Sequence, residues 1–338
     1  MVILDTMKTS QSEFTFIKNL QNKFKNSLPK SYLGIGDDCS AFPINSKNLF
    51  VTTTDLLIEK THFKRDEITP YQLGIKAMNV NLSDLASKGA KPHSCFISLA
   101  IPTKNNSHFF KEFYSAIHFM CQKYKITLLG GDTSKSTSEI FINVLMNGTV
   151  KKNHLKKRSN AQIGDSICLT GNVGESGLGL KLLQEKVLLN KLEKKIVTHH
   201  LINQNHLTFG QWLIKQKEVH AMMDVSDGIM SDIKRICEQS KCGAAISIEK
   251  IPFSKSFKII CDKHNWKFEN FILGGGEDYI LMFTVKAGMF NKLNNKFIKE
   301  FKLPLYEIGL ITKQKNSLKT LKSGKIVDFN IKGYDHFS

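Results

Sequence analysis

The sequence predicts an α+β protein of two domains. Three observations lead there. Residues 1–150 alternate helix-like and strand-like segments in the order β-α-β-α-β-β, a pattern that makes one α+β unit. A basic joint, Lys151 to Arg158, then interrupts the apolar periodicity. Beyond it a strand signal runs into a glycine-rich turn and a further helix. A chain of 338 residues can bury a core in each half, so the expected division is 1–150 and 151–338.

The elements follow in order. Ser10-Gln-Ser-Glu13 has the form of a helix start, and Phe14, Ile17, Leu20 and Phe24 follow at helical spacing. Leu49 to Thr54 is rich in β-branched residues and reads as a strand with Asp55 at its tip. Thr69-Pro70 is a cap with proline at the first helical position, and that helix should run to about Ser87 and stop at Gly89. A strand from Ser94 to Ile101 ends at Pro102. Ser107 opens a helix with Phe110, Phe113, Ile117 and Cys121 on one face. Ile126 to Leu129 reads as a short buried strand ending at Gly130-Gly-Asp132, and Ile140 to Val150 as another strand. In the second half, strands are expected at Asp165–Thr170, Ala244–Ile248 and Tyr279–Val285.

Composition narrows the function classes. Lys+Arg 48 against Asp+Glu 30 gives a net charge of +18, mostly from lysine spread along the chain. A compositional lysine bias explains this without a polyanionic partner. No zinc finger, basic zipper or aromatic RNA-binding signature accompanies the charge, so no nucleic-acid partner is expected. Seven scattered cysteines, with no C-x-x-C pair, read as small core residues of a reducing compartment. The first residues lack a signal-peptide pattern, and no apolar run reaches about 18 residues, so a cytoplasmic protein without a membrane partner is expected.

The chemistry lies in recurring acids flanked by Gly, Ser or Thr: Asp37 and Asp38 after Gly34 and Gly36, Asp55 after Thr53 and Thr54, Asp84 in Asn81-Leu-Ser-Asp84, Asp132 in Gly130-Gly-Asp-Thr133, and Asp224 and Asp227 in Asp224-Val-Ser-Asp-Gly228. Any one of these alone is what turns and caps are made from. Together, Asp38, Thr53, Thr54, Asp55, Asp84, Asp132, Asp224 and Asp227 form the hard-oxygen inventory that several Mg²⁺ ions on a polyphosphate require. The spacing leaves both readings standing. The turn Gly171 to Gly179 matches neither G-x-G-x-x-G nor G-x-x-x-x-G-K-[ST], so its glycines read as serving a tight turn and close packing. His199, His200 and His206 read as a solvated helix end rather than a zinc site.

Gly34-Ile-Gly-Asp-Asp-Cys39, Thr53-Thr-Asp55, His62-Phe63, Asn79 to Ala86, Gly130-Gly-Asp-Thr133, Asp224 to Ile229, Gly275-Gly-Glu-Asp-Tyr279 and the tail Lys332 to Phe337 are collinear over nearly the whole chain. They resemble the motifs of the thiamine-monophosphate kinase family. That family belongs to the superfamily of aminoimidazole ribonucleotide synthetase, selenophosphate synthetase and a hydrogenase maturation protein. The resemblance implies an N-terminal α+β domain that forms a β-barrel across a homodimer, and a C-terminal α/β domain closing the cleft. It implies ATP as co-substrate, several Mg²⁺ ions, thiamine monophosphate as acceptor, and the last step of thiamine diphosphate biosynthesis. By position, the eight acids and threonines above would hold metal. Tyr114, Gly131, Asp132, Arg158 and Ser226 would contact ATP, and His62, Glu277 and Tyr334 would contact thiamine monophosphate. No residue is expected to act as general base or nucleophile. The chain departs from the family pattern at His200-Leu-Ile-Asn-Gln-Asn-His206, where a His-Leu-Arg-Pro-type stretch is usual, and at Ser134 and Lys135. Two alternatives remain: another ATP-dependent synthetase of the superfamily, or a basic nucleic-acid binder.

Overall fold

The protein is described by a computed structural model covering residues 12–102, 107–185 and 188–329. Its first half contains α1 (Glu13–Phe24), β1 (Ser40–Pro43), β2 (Asn48–Ile58), α2 (Pro70–Ser87), β3 (Lys91–Ile101), α3 (Ser107–Tyr124), β4 (Thr127–Lys135) and β5 (Phe141–Lys151). The strands form a five-stranded sheet in the order β1-β2-β5-β3-β4, antiparallel except for β3 with β4. The second half contains β6 (Ser166–Leu169), α4 (Glu175–Glu185), α5 (Lys191–Leu201), α6 (Leu207–Leu213), β7 (Val219–Asp224), α7 (Ile229–Ser240) and β8 (Gly243–Ser247). It continues with α8 (Lys255–Lys263), α9 (Phe268–Gly274), β9 (Leu281–Val285), α10 (Phe290–Phe301), β10 (Tyr306–Thr312), β11 (Leu318–Lys322) and β12 (Lys325–Val327). Its seven-stranded sheet runs β12-β11-β8-β10-β6-β9-β7. Every pairing in it is antiparallel except β11 with β8, so this half is also mixed α+β rather than a parallel α/β sheet.

Helix α2 sits between the halves. Thr69 and Gln72 close a reciprocal capping box at its start, with Pro70 at the first helical position. It packs against α3, β2 and β5 of the first half and α6 and β7 of the second. A helix sandwiched in this way must be apolar nearly all round, and Leu73, Ala77, Met78, Leu82, Leu85 and Ala86 are all buried. The polar side chains it buries as well, Lys76, Asn79, Asn81 and Ser83, need partners.

Two strand expectations are corrected. Asp55 is not at a strand tip: β2 continues to Ile58, because Leu57 returns to the core and Asp55 pairs in register with Val144. The strand near Ile126–Leu129 is not buried. It runs on through the glycines as β4, at the sheet edge, and is exposed along its whole length, Leu128 and Leu129 included. The N-cap of α1 is Ser12; Ser10 lies outside the described residues. No helix among the described residues is long and apolar enough to cross a membrane.

Candidate active site

A cleft of ≈ 2080 Å³ opens between the two halves. That is more than one ligand of ordinary size fills, and it suits two. One wall is the loop before β1, the upper half of β2 and the inner face of α2. The other is the loop after β7, the start of α4, and the loop between α9 and β9.

The carboxylates meet at one end. Oxygen atoms of Asp38, Asp84 and Asp224 lie within 4.8 Å of one another. Three separate elements bring them there: the Gly34–Asp38 loop, the second half of α2, and the last residue of β7. Alternation along β2 turns Thr53 and Asp55 to the same face. Thr53 Oγ1 donates to Asp84, and Ser83 Oγ donates to Asp224 at 2.7 Å. Burial, together with the charges of Asp55, Asp224 and Asp38, raises Asp84 well above the usual carboxylate range. Burial and the charge of Asp38 push Asp224 up to about 7, and burial and Asp227 push Asp55 up to about 6. Each shift comes first from burying a carboxylate and then from like-charged neighbours, which Arg158 offsets only in part at Asp224.

Asp38 behaves oppositely. Burial acts to raise it, but the cations of Arg158 and Lys88 outweigh this and hold it well below the ordinary range. Lys88 is fully buried, with Nζ 2.5 Å from Asp37 and 2.6 Å from Asp38. It also donates to the carbonyls of Met222 (3.2 Å) and Lys156 (3.4 Å). Arg158 Nε donates to Asp38 at 3.0 Å. On the far wall, Arg235 pairs with Asp227, and Asp232 accepts the N–H groups of Ser226 (3.2 Å) and Asp227 (3.3 Å). Asp37, Asp38, Asp55, Asp84, Asp224 and Asp227 thus outnumber Lys88, Arg158 and Arg235. The donor set is carboxylate and hydroxyl oxygen with no imidazole or thiolate, which suits Mg²⁺ rather than zinc or copper.

At the other end stands Glu277, in the left-handed region at φ 61°. Its loop lies backbone to backbone on the loop after β7: a Cβ on Gly276 would meet the Ser226 carbonyl at 2.6 Å, and one on Gly228 (φ 101°) would meet Gly274 at 2.9 Å. Burial acts to raise the Glu277 carboxyl, but Lys76 and His200 hold it below its usual value. His62 lines the same end, and its Nδ1 accepts from the Ile58 N–H at 2.9 Å.

The structure therefore brings together Asp38, Thr53, Asp55, Asp84, Arg158, Asp224, Ser226 and Asp227, with His62 and Glu277 in the same cleft. Thr54 lies on the cleft rim, but its side chain is exposed on the opposite face of β2, accepting from Asn143 at 2.9 Å. Gly131 and Asp132 on β4, and Tyr114 on α3, do not line this cleft. Asp132 is exposed, and Tyr114 is stacked on Phe110. Tyr334 lies outside the described residues. Two of the three histidines are not a solvated helix end, while His199 is partly exposed at the end of α5. His200 is buried and bonded to Ser176 Oγ (2.9 Å), and His206 is bonded to Thr170 Oγ1 (2.6 Å). Burial lowers each to about 4, so both are neutral at pH 7. The N-terminus of α4 is no phosphate cradle either: the buried Asp278 carboxylate accepts the N–H groups of Gly174 (2.6 Å) and Ser176 (3.1 Å).

Residues 36–150 match the family model described as AIR synthase related protein, N-terminal domain, and residues 162–320 match its C-terminal counterpart. The thiamine-monophosphate kinase of Buchnera aphidicola subsp. Schizaphis graminum is 37% identical over 327 residues, 95% of this chain and 96% of its own. The chain belongs to the thiamine-monophosphate kinase family. The Haemophilus influenzae thiamine-monophosphate kinase is 34% identical over 310 residues, covering 90% of this chain and 92% of its own. Among solved structures, AaThiL complexed with AMPPCP and TMP superposes with a TM-score of 0.84 at 30% identity, covering 99% of this chain and 100% of that one.

Several residues of this thiamine-monophosphate kinase fold were not singled out by the sequence: Lys76, Ser83, Ser87, Lys88, Asn203 and Arg235. One signal was there. Lys76, Val80, Asp84 and Lys88 recur every four residues, a single stripe on α2 that mixes buried charge of both signs.

Proposed function

We infer that the protein is an ATP-dependent thiamine-phosphate kinase, transferring the γ-phosphoryl of ATP to thiamine monophosphate. The observation that carries the reading is the convergence of Asp38, Asp84 and Asp224 at one end of a two-ligand cleft, with Glu277 at the other. An oxygen of the acceptor phosphate forms the new bond to the γ-phosphorus, the bond from that phosphorus to the β–γ bridging oxygen breaks, and ADP leaves. The attacking oxygen is already anionic near neutral pH, so no side chain needs to take a proton. The chain's task is to seat two polyanions in line and offset their repulsion.

Bound Mg²⁺ would supply charge neutralisation at the phosphates. Asp38, Thr53, Asp55, Asp84, Asp132, Asp224 and Asp227 are the residues we assign to hold it, and Thr54, turned to the other face of β2, is left out. Arg158, oriented by Asp38, faces the cleft as a fixed cation for phosphate oxygens, and Ser226 lies beside it. His62, Glu277 and Tyr334 are assigned to the thiamine monophosphate end. We place the domain division at the basic joint after residue 150, the first half carrying metal and nucleotide groups and the second closing the cleft.

We also propose a homodimer in which the two five-stranded sheets complete a barrel. β4 is a bare, fully exposed edge, and Leu56, Phe96 and Leu128 are exposed large apolar side chains of that sheet. In such a pair, Gly131, Asp132 and Tyr114 are supplied to the nucleotide from the partner copy. Seven free cysteines suit a reducing cytoplasm. Among the described residues no cysteine lines the cleft, which disfavours a selenide-activating relative. The test is ADP release in a coupled assay with Mg²⁺-ATP. Turnover is expected with thiamine monophosphate and not with unphosphorylated thiamine; equal rates with both, or none with either, would overturn the reading.

A further inference from the structure

Lys76 is 1% exposed, too deep for a solvated surface lysine. Its Nζ lies 3.0 Å from both carboxylate oxygens of Glu277, and His200 Nδ1 stands 3.4 Å from one of them. The main chain of Glu277 is tied as well. Its N–H donates to the Ser226 carbonyl at 2.7 Å, and its carbonyl accepts from the side-chain amide of Asn203. Asn203 is fully buried, and its own carbonyl accepts from Asn79 Nδ2. Asn205 closes the chain of contacts, donating to Asn79 Oδ1 at 2.7 Å and to Tyr124 Oη at 2.9 Å. Both the carboxylate and the backbone of this strained residue are thus fastened to α2, at Lys76 and through Asn79.

This has a consequence for what Glu277 can bind. Lys76 already balances its charge, so it is a poor trap for a bare cation. A carboxylate offers about four lone-pair sites and Lys76 occupies two, which leaves a rigid acceptor for an N–H donor. Eight residues further along the same face of α2 is Asp84, about 12 Å away at 1.5 Å per residue. We infer that Lys76 is a positioning residue for the acceptor. With Asn203 it fixes the Glu277 carboxylate, so that an amino-bearing heterocycle docks there while the phosphate ester at its far end reaches the carboxylate cluster. This rests on the kinase reading and adds to it the residue that orients the acceptor.

A kinetic double-mutant cycle on the full-length protein tests it, with Lys76→Met, Glu277→Gln, the pair of changes together, and Lys76→Arg. Losing a charge-assisted contact of this kind should cut kcat/KM for thiamine monophosphate about tenfold or more, while KM for ATP stays within about twofold. The double variant should be no worse than Glu277→Gln alone, and Lys76→Arg should recover part of the loss. Additive losses, an equal rise in KM for ATP, or unchanged thiamine monophosphate kinetics in Lys76→Met would overturn the inference. Should Lys76→Met fail to fold, Asn203→Ala removes only the tie to the Glu277 carbonyl. It should raise KM for thiamine monophosphate severalfold and leave KM for ATP alone, and no rise would also overturn it. Failure of the kinase reading shows separately, as a parent protein that never phosphorylates thiamine monophosphate.

Discussion

Replacing Lys88 by methionine keeps the length of a fully buried stem and removes only its charge. The ammonium sits among four oxygens drawn from the Asp37–Asp38 loop, the joint at Lys156 and β7 at Met222, so it clasps both halves and the connection between them. Without it, Asp38 keeps Arg158 and Ser87, but Asp37 loses its cation and keeps only the N–H groups of Asp38 (3.0 Å) and Arg158 (3.3 Å). Removing one partner of a buried ion pair costs about 3–5 kcal/mol. For a chain of 338 residues that corresponds to a fall in Tm of about 4–7 °C. The assay is a thermal melt of metal-free protein at pH 7.5, followed across pH. In the parent, Asp38 is depressed, so its contribution is full above the unfolded carboxylate pKa and is lost as pH falls through the folded value. Removing Lys88 takes away one of the two cations that depress Asp38, so in the variant that loss should set in at a higher pH than in the parent. Mg²⁺ should also stabilise the variant more than the parent. A Tm loss below about 2 °C at pH 7.5 would refute the reasoning, because it would mean the clasp is hydrated or unneeded.

Asp84→Asn and Asp55→Asn should each lose most kinase activity without any loss of thermal stability; near-normal turnover in both would remove the carboxylate clamp. Asp132→Asn and Asp84→Asn, each inactive alone, should regain roughly a quarter of parental activity when unfolded and refolded together, since half the pairs are mixed and each mixed pair has one intact site. No recovery would place Asp132 and Asp84 in the same subunit's site, or show that β4 does not pair. Asp55 and Asp224 are raised to about 6 and about 7, so their contribution to stability is full below the unfolded value near 4 and lost as pH rises through 6 to 7. Metal-free protein should therefore melt lower at pH 8 than at pH 5, and Mg²⁺ should raise Tm at pH 8 far more than at pH 5. A melt that rises from pH 5 to pH 8 without metal would count against the crowded-carboxylate account.

Much of the frame was legible in the sequence because its signals are local. The Thr69-Pro70 start of α2 is written in adjacent residues, and its expected end at Ser87 is where the helix stops. The acids could be found because Asp beside Gly, Ser and Thr recurs. Their convergence could not, since it depends on which faces of β2, α2 and β7 meet. The apolar run Ile126 to Leu129 does not by itself tell a buried strand from an exposed sheet edge, and β4 is the edge. Lys88 carries no signal of its own in the sequence, since a lysine at a helix C-cap is ordinarily a solvated partner of the helix dipole. The stretch from His200 to His206 lacks the proline and arginine that the family pattern suggested for rigidity. Asn203 and Asn205 supply it instead, through bonds to Asn79, Tyr124 and Glu277 that no spacing rule reveals.

Asp278 fills with its own carboxylate the start of α4, where a glycine-rich turn would otherwise offer free amides to an anion. An incoming polyphosphate finds that socket plugged and meets Arg158 set among more numerous carboxylates instead. On the kinase reading its seat then depends on divalent ions that arrive with it, and affinity for ATP should fall as free Mg²⁺ is withdrawn.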